Sequence, residues 1–240
     1  MQPNNHNHHV KNLDQNYIGK DQEFRFRCTQ CGEWCRNKAP QDRILLSTVD
    51  LYRIANVLEM EIQDVIAQYC EVMPGRESML PLMVMKQRLD GSCIFLKKGK
   101  CTVQSGKPLV CAMYPLGRLA FLNEDTGEYE YHYYLKDFRK EGCHAAEDET
   151  WTPEQWLARF HVEEYDECVR LYGQLGNACS RLMHSYEDDD GKREMFGTAF
   201  YMIFVKYDRT QPLREQMEMN LAFVRSLKPD LFFRTKTEQN

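Results

Sequence analysis

The segment Cys28-Thr-Gln-Cys-Gly-Glu-Trp-Cys35 places three thiols within eight residues at the spacing CxxCxxxC. Such a cluster forces the backbone to fold back tightly, and Gly32, directly after the second thiol, permits a close turn. A metal site, a redox dithiol and half of a disulfide framework all use this pattern. With 240 residues the chain can bury a sizeable core, so cysteine staples are not needed for stability. The amino-terminal run MQPNNHNHHVKNLDQNYIGKDQEF has neither a basic start leading into an apolar core nor a small-residue cleavage site. No stretch approaches the roughly 20 apolar residues of a membrane span. The expectation is therefore a soluble, cytoplasmic protein without membrane association. In that reducing compartment ten cysteines point to metal binding or redox chemistry rather than to disulfides.

The remaining cysteines divide by context. Cys70, Cys168 and Cys179 fall on apolar stripes at helical spacing, where a thiol acts as a small hydrophobe. Cys93, Cys101, Cys111 and Cys143 follow turns or end strand-like pieces, as do Cys28, Cys31 and Cys35. Two thiolates separated by two residues can reach one ion, and a second group of three thiols within 19 residues, Cys93 to Cys111, strengthens the pattern. Converging thiolates repel one another unless a cation takes up their charge. Four suit one tetrahedral zinc or one [4Fe–4S] cluster, whereas seven suit two ions sharing a bridging thiolate, or a cluster with accessory thiols. His144, beside Cys143, is a further candidate ligand, although a single histidine there reads equally as a surface residue. His132, His161 and His184 read as structural.

Charge is uneven. Residues 1–120 hold 16 Lys and Arg against 12 Asp and Glu, and residues 121–240 hold 15 against 24. The acidic second half argues against nucleic acid as the partner. Arg25, Arg27, Arg36, Lys38 and Arg43 surround the first thiols and either stabilise thiolates or form a solvated face.

Local patterns predict an α+β chain: a turn-rich cysteine core with short β-hairpins and helices, then a mostly helical carboxy-terminal part. Residues 1–22, including the His6, His8 and His9 tract, read as a flexible tail; 23–150 as a metal-binding domain; 151–240 as helices packed on it. Ser47 with Asp50 makes a capping box ahead of two short helices, the second carrying Cys70. LMVMKQRL, CIFL and CTV alternate with turns, and GRLAFLN and YEYHYYL form a second hairpin about residues 124–127. Thr152-Pro153 starts one long helix extending to about 182, YEDDDGK closes it as a loop, and REMFGTAFYMIFVKY and LREQMEMNLAFVRSL supply two more.

The ordered set CTQCGEWC, ILLSTVDLYRIANVL, GSCIFLKKGKCTVQSGKPLVCAMYP and a final GC ahead of WTPEQWL resembles the YkgJ-like cysteine-cluster proteins, a bacterial family described as zinc- or iron-chelating. The resemblance covers residues 24–160. It implies that Cys28, Cys31, Cys35, Cys93, Cys101, Cys111 and Cys143 are the metal ligands. Trp34 stands where the family commonly has the first of two adjacent cysteines, which reduces an eight-thiol set to seven. The resemblance also brings in an iron–sulfur cluster with S-adenosylmethionine-dependent protein-lysine methylation, known for some longer relatives. Against this, the chain has no Gly-rich strand-to-helix fingerprint, and CxxCxxxC differs from the CxxxCxxC of radical enzymes. Tyr114 and Arg118, beside Cys111, are the candidate contacts for such chemistry. The leading expectation is a metal-binding protein holding an iron–sulfur cluster, slightly favoured by the thiol number and basic setting, or zinc. The alternatives are a cluster-dependent enzyme and a structural zinc module whose acidic helices bind a protein partner.

Overall fold

A computed structural model describes residues 17–36, 43–122, 129–139 and 143–232. The histidine tract, Lys38 and the turn at 124–127 lie outside these residues. In chain order the elements are β1 (Tyr17–Ile18), β2 (Phe24–Arg27), β3 (Leu45–Leu46), α1 (Thr48–Leu58), α2 (Ile62–Tyr69), β4 (Cys70–Pro74), β5 (Pro81–Met85), β6 (Leu96–Lys97) and β7 (Lys100–Cys101). They continue with α3 (Leu109–Met113), β8 (Leu116–Leu122), β9 (Tyr129–Leu135), β10 (Ala146–Trp151), α4 (Pro153–Ala158), α5 (Asp166–His184), α6 (Asp189–Phe200) and α7 (Leu213–Ser226). The fold is α+β. Among the described residues no helix is long and apolar enough to cross a membrane.

The chain forms two compact units interleaved in sequence. The first takes the described residues through Arg36, with Leu96–Thr102 and Leu109–Glu163; the second takes the described residues up to Phe95, then Val103–Pro108 and the chain from Glu164.

In the first unit, β1, β9 and β8 form an antiparallel sheet in that order, and β2 pairs with β10. The β2–β10 register sets Arg27 opposite Ala146 and Phe24 opposite Trp151, with an irregularity between Ala146 and Thr150. That irregularity carries Asp148 to Arg27, whose guanidinium donates to both carboxylate oxygens at 2.7 and 2.9 Å. Phe26 alternates inward along β2 and meets the buried Trp156 ring edge-on at 5.3 Å. Trp156 donates from its indole nitrogen to the Met113 carbonyl at 2.9 Å, and Trp151 donates to the Phe26 carbonyl at 3.0 Å. Large aromatic bodies with satisfied polar edges therefore fix α4, α3 and β2 together.

In the second unit, Ser47 caps α1 through the expected capping box with Asp50. The sheet order is β3-β5-β4, all antiparallel. Helix α5 buries Cys168, Leu171, Leu175, Ala178, Cys179, Leu182 and Met183 at three- and four-residue spacing. The chain after α6 widens into one π turn, Tyr201–Val205. A π turn displaces backbone carbonyls from their usual donors. Here the buried Asn220 amide donates to the Met202 carbonyl at 3.1 Å and to that of Lys206 at 3.3 Å, and the Tyr207 hydroxyl also donates to Met202.

Three local expectations change. Cys70 opens strand β4 rather than continuing α2, opposite Met85, and remains buried. The long helix from Thr152 breaks: Thr152 and Gln155 form a capping box, α4 ends at Ala158, and His161 takes a left-handed φ of 53°. Val162 then donates to the Leu157 carbonyl at 3.2 Å and buries its side chain, so satisfying the helix end outweighs continuing the helical pattern. Part of YEDDDGK is helix, because Asp188 accepts from the Gly191 N–H at 2.6 Å and caps α6.

Candidate metal centre

The β2–β10 register determines which thiols meet. With Arg27 opposite Ala146, the chain leaving β2 and the chain entering β10 sit at the same end of the ladder. Cys28 and Cys31 follow the first and Cys143 precedes the second. The Cys31 and Cys143 sulfurs consequently lie 3.9 Å apart although 112 residues separate them. Cys143 is held by its N–H donating to the Phe138 carbonyl at 2.9 Å. Cys31 stands between two left-handed residues, Gln30 with φ 53° and Gly32 with φ 76°. Gln30 pays for this conformation, which side chains other than glycine rarely adopt and which concentrates at functional sites.

The two thiols are electrostatically unequal. Burial opposes ionisation of Cys31, but donors outweigh it: the backbone N–H groups of Glu33 and His144, the Cys143 thiol and Thr29 together bring the Cys31 thiol below its ordinary value. Burial first, then the charge and hydrogen bond of Cys31, push Cys143 up to about 11, with Cys28 adding repulsion and the Ala145 N–H opposing it. Cys143 thus holds its proton more tightly than Cys31, while either sulfur can donate across their 3.9 Å contact. His144 acts here through its backbone, donating its N–H to Cys31 and accepting the Thr29 hydroxyl at its carbonyl, while its side chain is exposed. Thr29 and the His144 backbone are contributors that the sequence did not single out. An oxygen-bearing residue inside a CxxC loop is the only signal that pointed to the former.

Packing ties further thiols to this turn. Strands β6 and β7 form a hairpin in which Leu96 faces Cys101 and the two connecting residues, Lys98 and Gly99, have φ of 50° and 77°. Both positive values match a type I′ turn, whose twist suits a two-residue hairpin. A Cβ at Gly32 would lie 3.3 Å from the Gly99 carbonyl and 3.3 Å from Leu96, so the cysteine loop and the Cys101 hairpin pack closely at this glycine, whose positive φ also favours it. Cys35 ends a short 3₁₀ turn, Glu33–Cys35. Trp34, in the same turn, stacks on Tyr114 with ring centroids 4.4 Å apart and lies under the Lys136 ammonium at 4.8 Å. Tyr114 follows α3, which carries Cys111. Trp34 therefore joins the first cysteine loop to the Cys111 segment. Tyr114 also packs on Phe26, and Arg118 lies over the Tyr131 ring at 4.3 Å.

Cys93 belongs to the second unit, opposite Gln87, with its thiol 3.8 Å from the Met85 sulfur. Cys28 is exposed; Cys31, Cys35, Cys93, Cys101, Cys111 and Cys143 are half-buried; Cys70, Cys168 and Cys179 are buried. Burial pushes Cys70 and Cys179 up to about 12 and also raises Cys168. Among the described residues no three His, Cys, Asp or Glu side chains close around one point as a complete metal cage. The basic setting is partly neutralised: Arg27 pairs with Asp148, Arg36 with Glu33 and Arg43 with Glu71.

The donor set fits a soft or borderline metal. Two thiolates bound at about 2.3 Å to one tetrahedral zinc lie about 3.8 Å apart. The Cys31–Cys143 separation of 3.9 Å is within 0.1 Å of that figure.

No curated protein and no solved structure matches the chain. A family model does match, over residues 27–182, described as CxxCxxCC, putative zinc- or iron-chelating domain. Its signature has adjacent cysteines where this chain has Trp34 and Cys35. All seven candidate thiols lie within the matched span, and the chain belongs to this zinc- or iron-chelating family, in which YkgJ-like proteins are also placed.

Proposed function

We propose that the protein holds a metal on its clustered cysteines, with Cys31 and Cys143 on one ion. The observation that carries this reading is the 3.9 Å approach of two sulfurs from distant parts of the chain. Cys28, Cys35, Cys101 and Cys111 complete the first-unit donor set; Cys93, the seventh expected ligand, belongs to the second unit. A shared ion suits zinc, or an iron that carries two thiolates. It suits two corners of a [4Fe–4S] cube less well, because four cysteines there serve four irons. The expected preference for an iron–sulfur cluster rested partly on a basic setting, and ion pairing with Asp148 and Glu33 weakens that support. Zinc bound here would fix the turn and supply no redox chemistry of its own. A reducing, cytoplasmic setting would keep the seven candidate thiols reduced and available as ligands.

Anaerobic purification of the full chain with metal and acid-labile sulfide analysis, together with an optical spectrum, tests the reading. The expected result is stoichiometric zinc or iron that is lost from Cys31→Ser and Cys143→Ser variants. Protein that binds neither metal, whether as purified or after reconstitution with ferrous iron or zinc, refutes it.

A further inference from the structure

We propose that Cys31 and Cys143 are also a hydroperoxide-reactive dithiol, whose oxidation to a disulfide expels the ion they hold. Release of the ion rests on the metal reading above; the dithiol itself does not.

The argument starts from geometry. The two sulfurs are already in contact at 3.9 Å, and a disulfide requires about 2.05 Å, so roughly 1.9 Å remains to be closed. Side-chain rotation and small shifts in the adjoining segments can supply that movement, because Cys31 lies in a turn and Cys143 precedes β10 rather than lying inside a ladder. Access is available to Cys31, which is half-buried beside the exposed Cys28. Its sulfur also lies by the Glu33 and His144 N–H groups, and the Thr29 hydroxyl holds that turn by donating to the His144 carbonyl at 3.0 Å. Such groups orient the sulfur, and after attack on a peroxide they can hydrogen-bond the nascent sulfenate oxygen. Cys70, Cys168 and Cys179 are buried in packing positions, and the thiol of Cys93 faces the thioether of Met85.

The chemistry balances in two steps. Cys31 sulfur attacks the outer oxygen of a hydroperoxide, the O–O bond breaks, and the products are Cys31 sulfenic acid and the alcohol, or water if the peroxide is hydrogen peroxide. Cys143 sulfur then attacks Cys31 sulfur, the S–O bond breaks, and hydroxide leaves with the Cys143 proton as water. The two thiols lose two electrons in total and the peroxide gains two. In zinc-loaded protein both sulfurs would be thiolates, so the two protons that complete the alcohol and the water would come from solvent, and a zinc ion would lose these two of its ligands with its oxidation state unchanged. A cellular dithiol reverses the reaction by exchange.

Two preparations of the full chain test this: one stripped with a chelator, one loaded with zinc. Each is treated with limiting hydrogen peroxide, alkylated, digested and mapped by mass spectrometry, while a chromophoric chelator records free zinc. The expected cross-link is Cys31–Cys143, reversible by dithiothreitol, with zinc released in step with its formation. In Cys143→Ser the cross-link is lost and dimedone traps sulfenic acid on Cys31. The wild-type map stands alone if that variant does not fold. The proposal is overturned if Cys31 links mainly to other cysteines, or if Cys31 oxidises no faster than Cys28. Zinc binding by unoxidised protein, measured separately, reports on the metal reading. Protein that binds zinc and forms no Cys31–Cys143 bond refutes the dithiol alone; protein that forms the bond and binds no metal refutes the metal site alone.

Discussion

Replacing Gly32 by alanine should weaken metal binding without removing a single ligand. Residue 32 has φ 76°, a region that costs an L-residue about 1–2 kcal/mol. An added Cβ would also lie 3.3 Å from the Gly99 carbonyl, inside ordinary contact distance. That carbonyl is backbone in a two-residue turn and cannot swing aside as a side chain would. Leu96, also at 3.3 Å, can rotate away, as can the Arg36 guanidinium at 3.6 Å. Strain therefore dominates, with a total of about 1–2 kcal/mol. In metal-free protein the turn can relax and relieve part of this. A bound ion would hold Cys31 in place and restore the strain, so affinity should fall by a factor of about 5–30. Competition for zinc against a chromophoric chelator measures the affinity, and urea unfolding of stripped protein measures what relaxation leaves. Gly32→Asn should fall between parent and alanine, because asparagine tolerates the left-handed region. An alanine variant that binds zinc as tightly as the parent would refute the reasoning, since the turn would then not be what positions Cys31.

Three further perturbations follow from packing and charge. Trp156→Ala removes a fully buried ring and its bond to the Met113 carbonyl, and should cost about 3–5 kcal/mol by urea denaturation; a loss under about 1 kcal/mol would contradict its place in the core. Asn220→Leu leaves the carbonyl of Lys206 short of its amide donor and that of Met202 with one fewer, and should cost about 1–3 kcal/mol, read as a lowered urea midpoint. Cys143, with its pKa raised from 9.0 to about 11, and the buried Cys70 and Cys179, each raised to about 12, bind their protons more tightly folded than unfolded. Their contribution is fully present below about pH 9 and is lost as pH rises through 11 and 12. Stability of metal-free protein should thus decline above about pH 9, partly offset by Cys31, whose shift has the opposite sign. A flat profile by thermal unfolding between pH 8 and about 11 would contradict it.

Features encoded over a few residues could be read directly from the sequence. Ser47 with Asp50 is legible as a capping box because the side chains reach only three residues, and it forms, as does the helix start at Thr152-Pro153. The glycine after Cys31 marked a turn for the same local reason. The helix break at His161 was hidden because the apolar spacing continues through residues 156–165, while the burial of Val162 that ends α4 depends on tertiary packing. Cys70 was read as helical from its spacing, but pairing with Met85, fifteen positions away, made it a strand residue. The meeting of Cys31 with Cys143 lay furthest from view. It depends on the β2–β10 register, and four-residue β2 carries no sequence mark of its partner. Trp34, conspicuous as a departure from a cysteine pair, gained a physical role only through its stacking on Tyr114.

The β2–β10 clasp also sets an order of events at the ribosome. Translation adds about 5–20 residues per second, so Cys143 is polymerised roughly 6–22 s after Cys31, the two being 112 positions apart. Until β10 has emerged, the first three thiols have no partner from the far end of the chain and can offer an ion only a partial set. On the proposed sharing of one ion by Cys31 and Cys143, a complete donor set would exist only after this short ladder closes, so its pairing would set when metal could be held as well as tie the two chain segments.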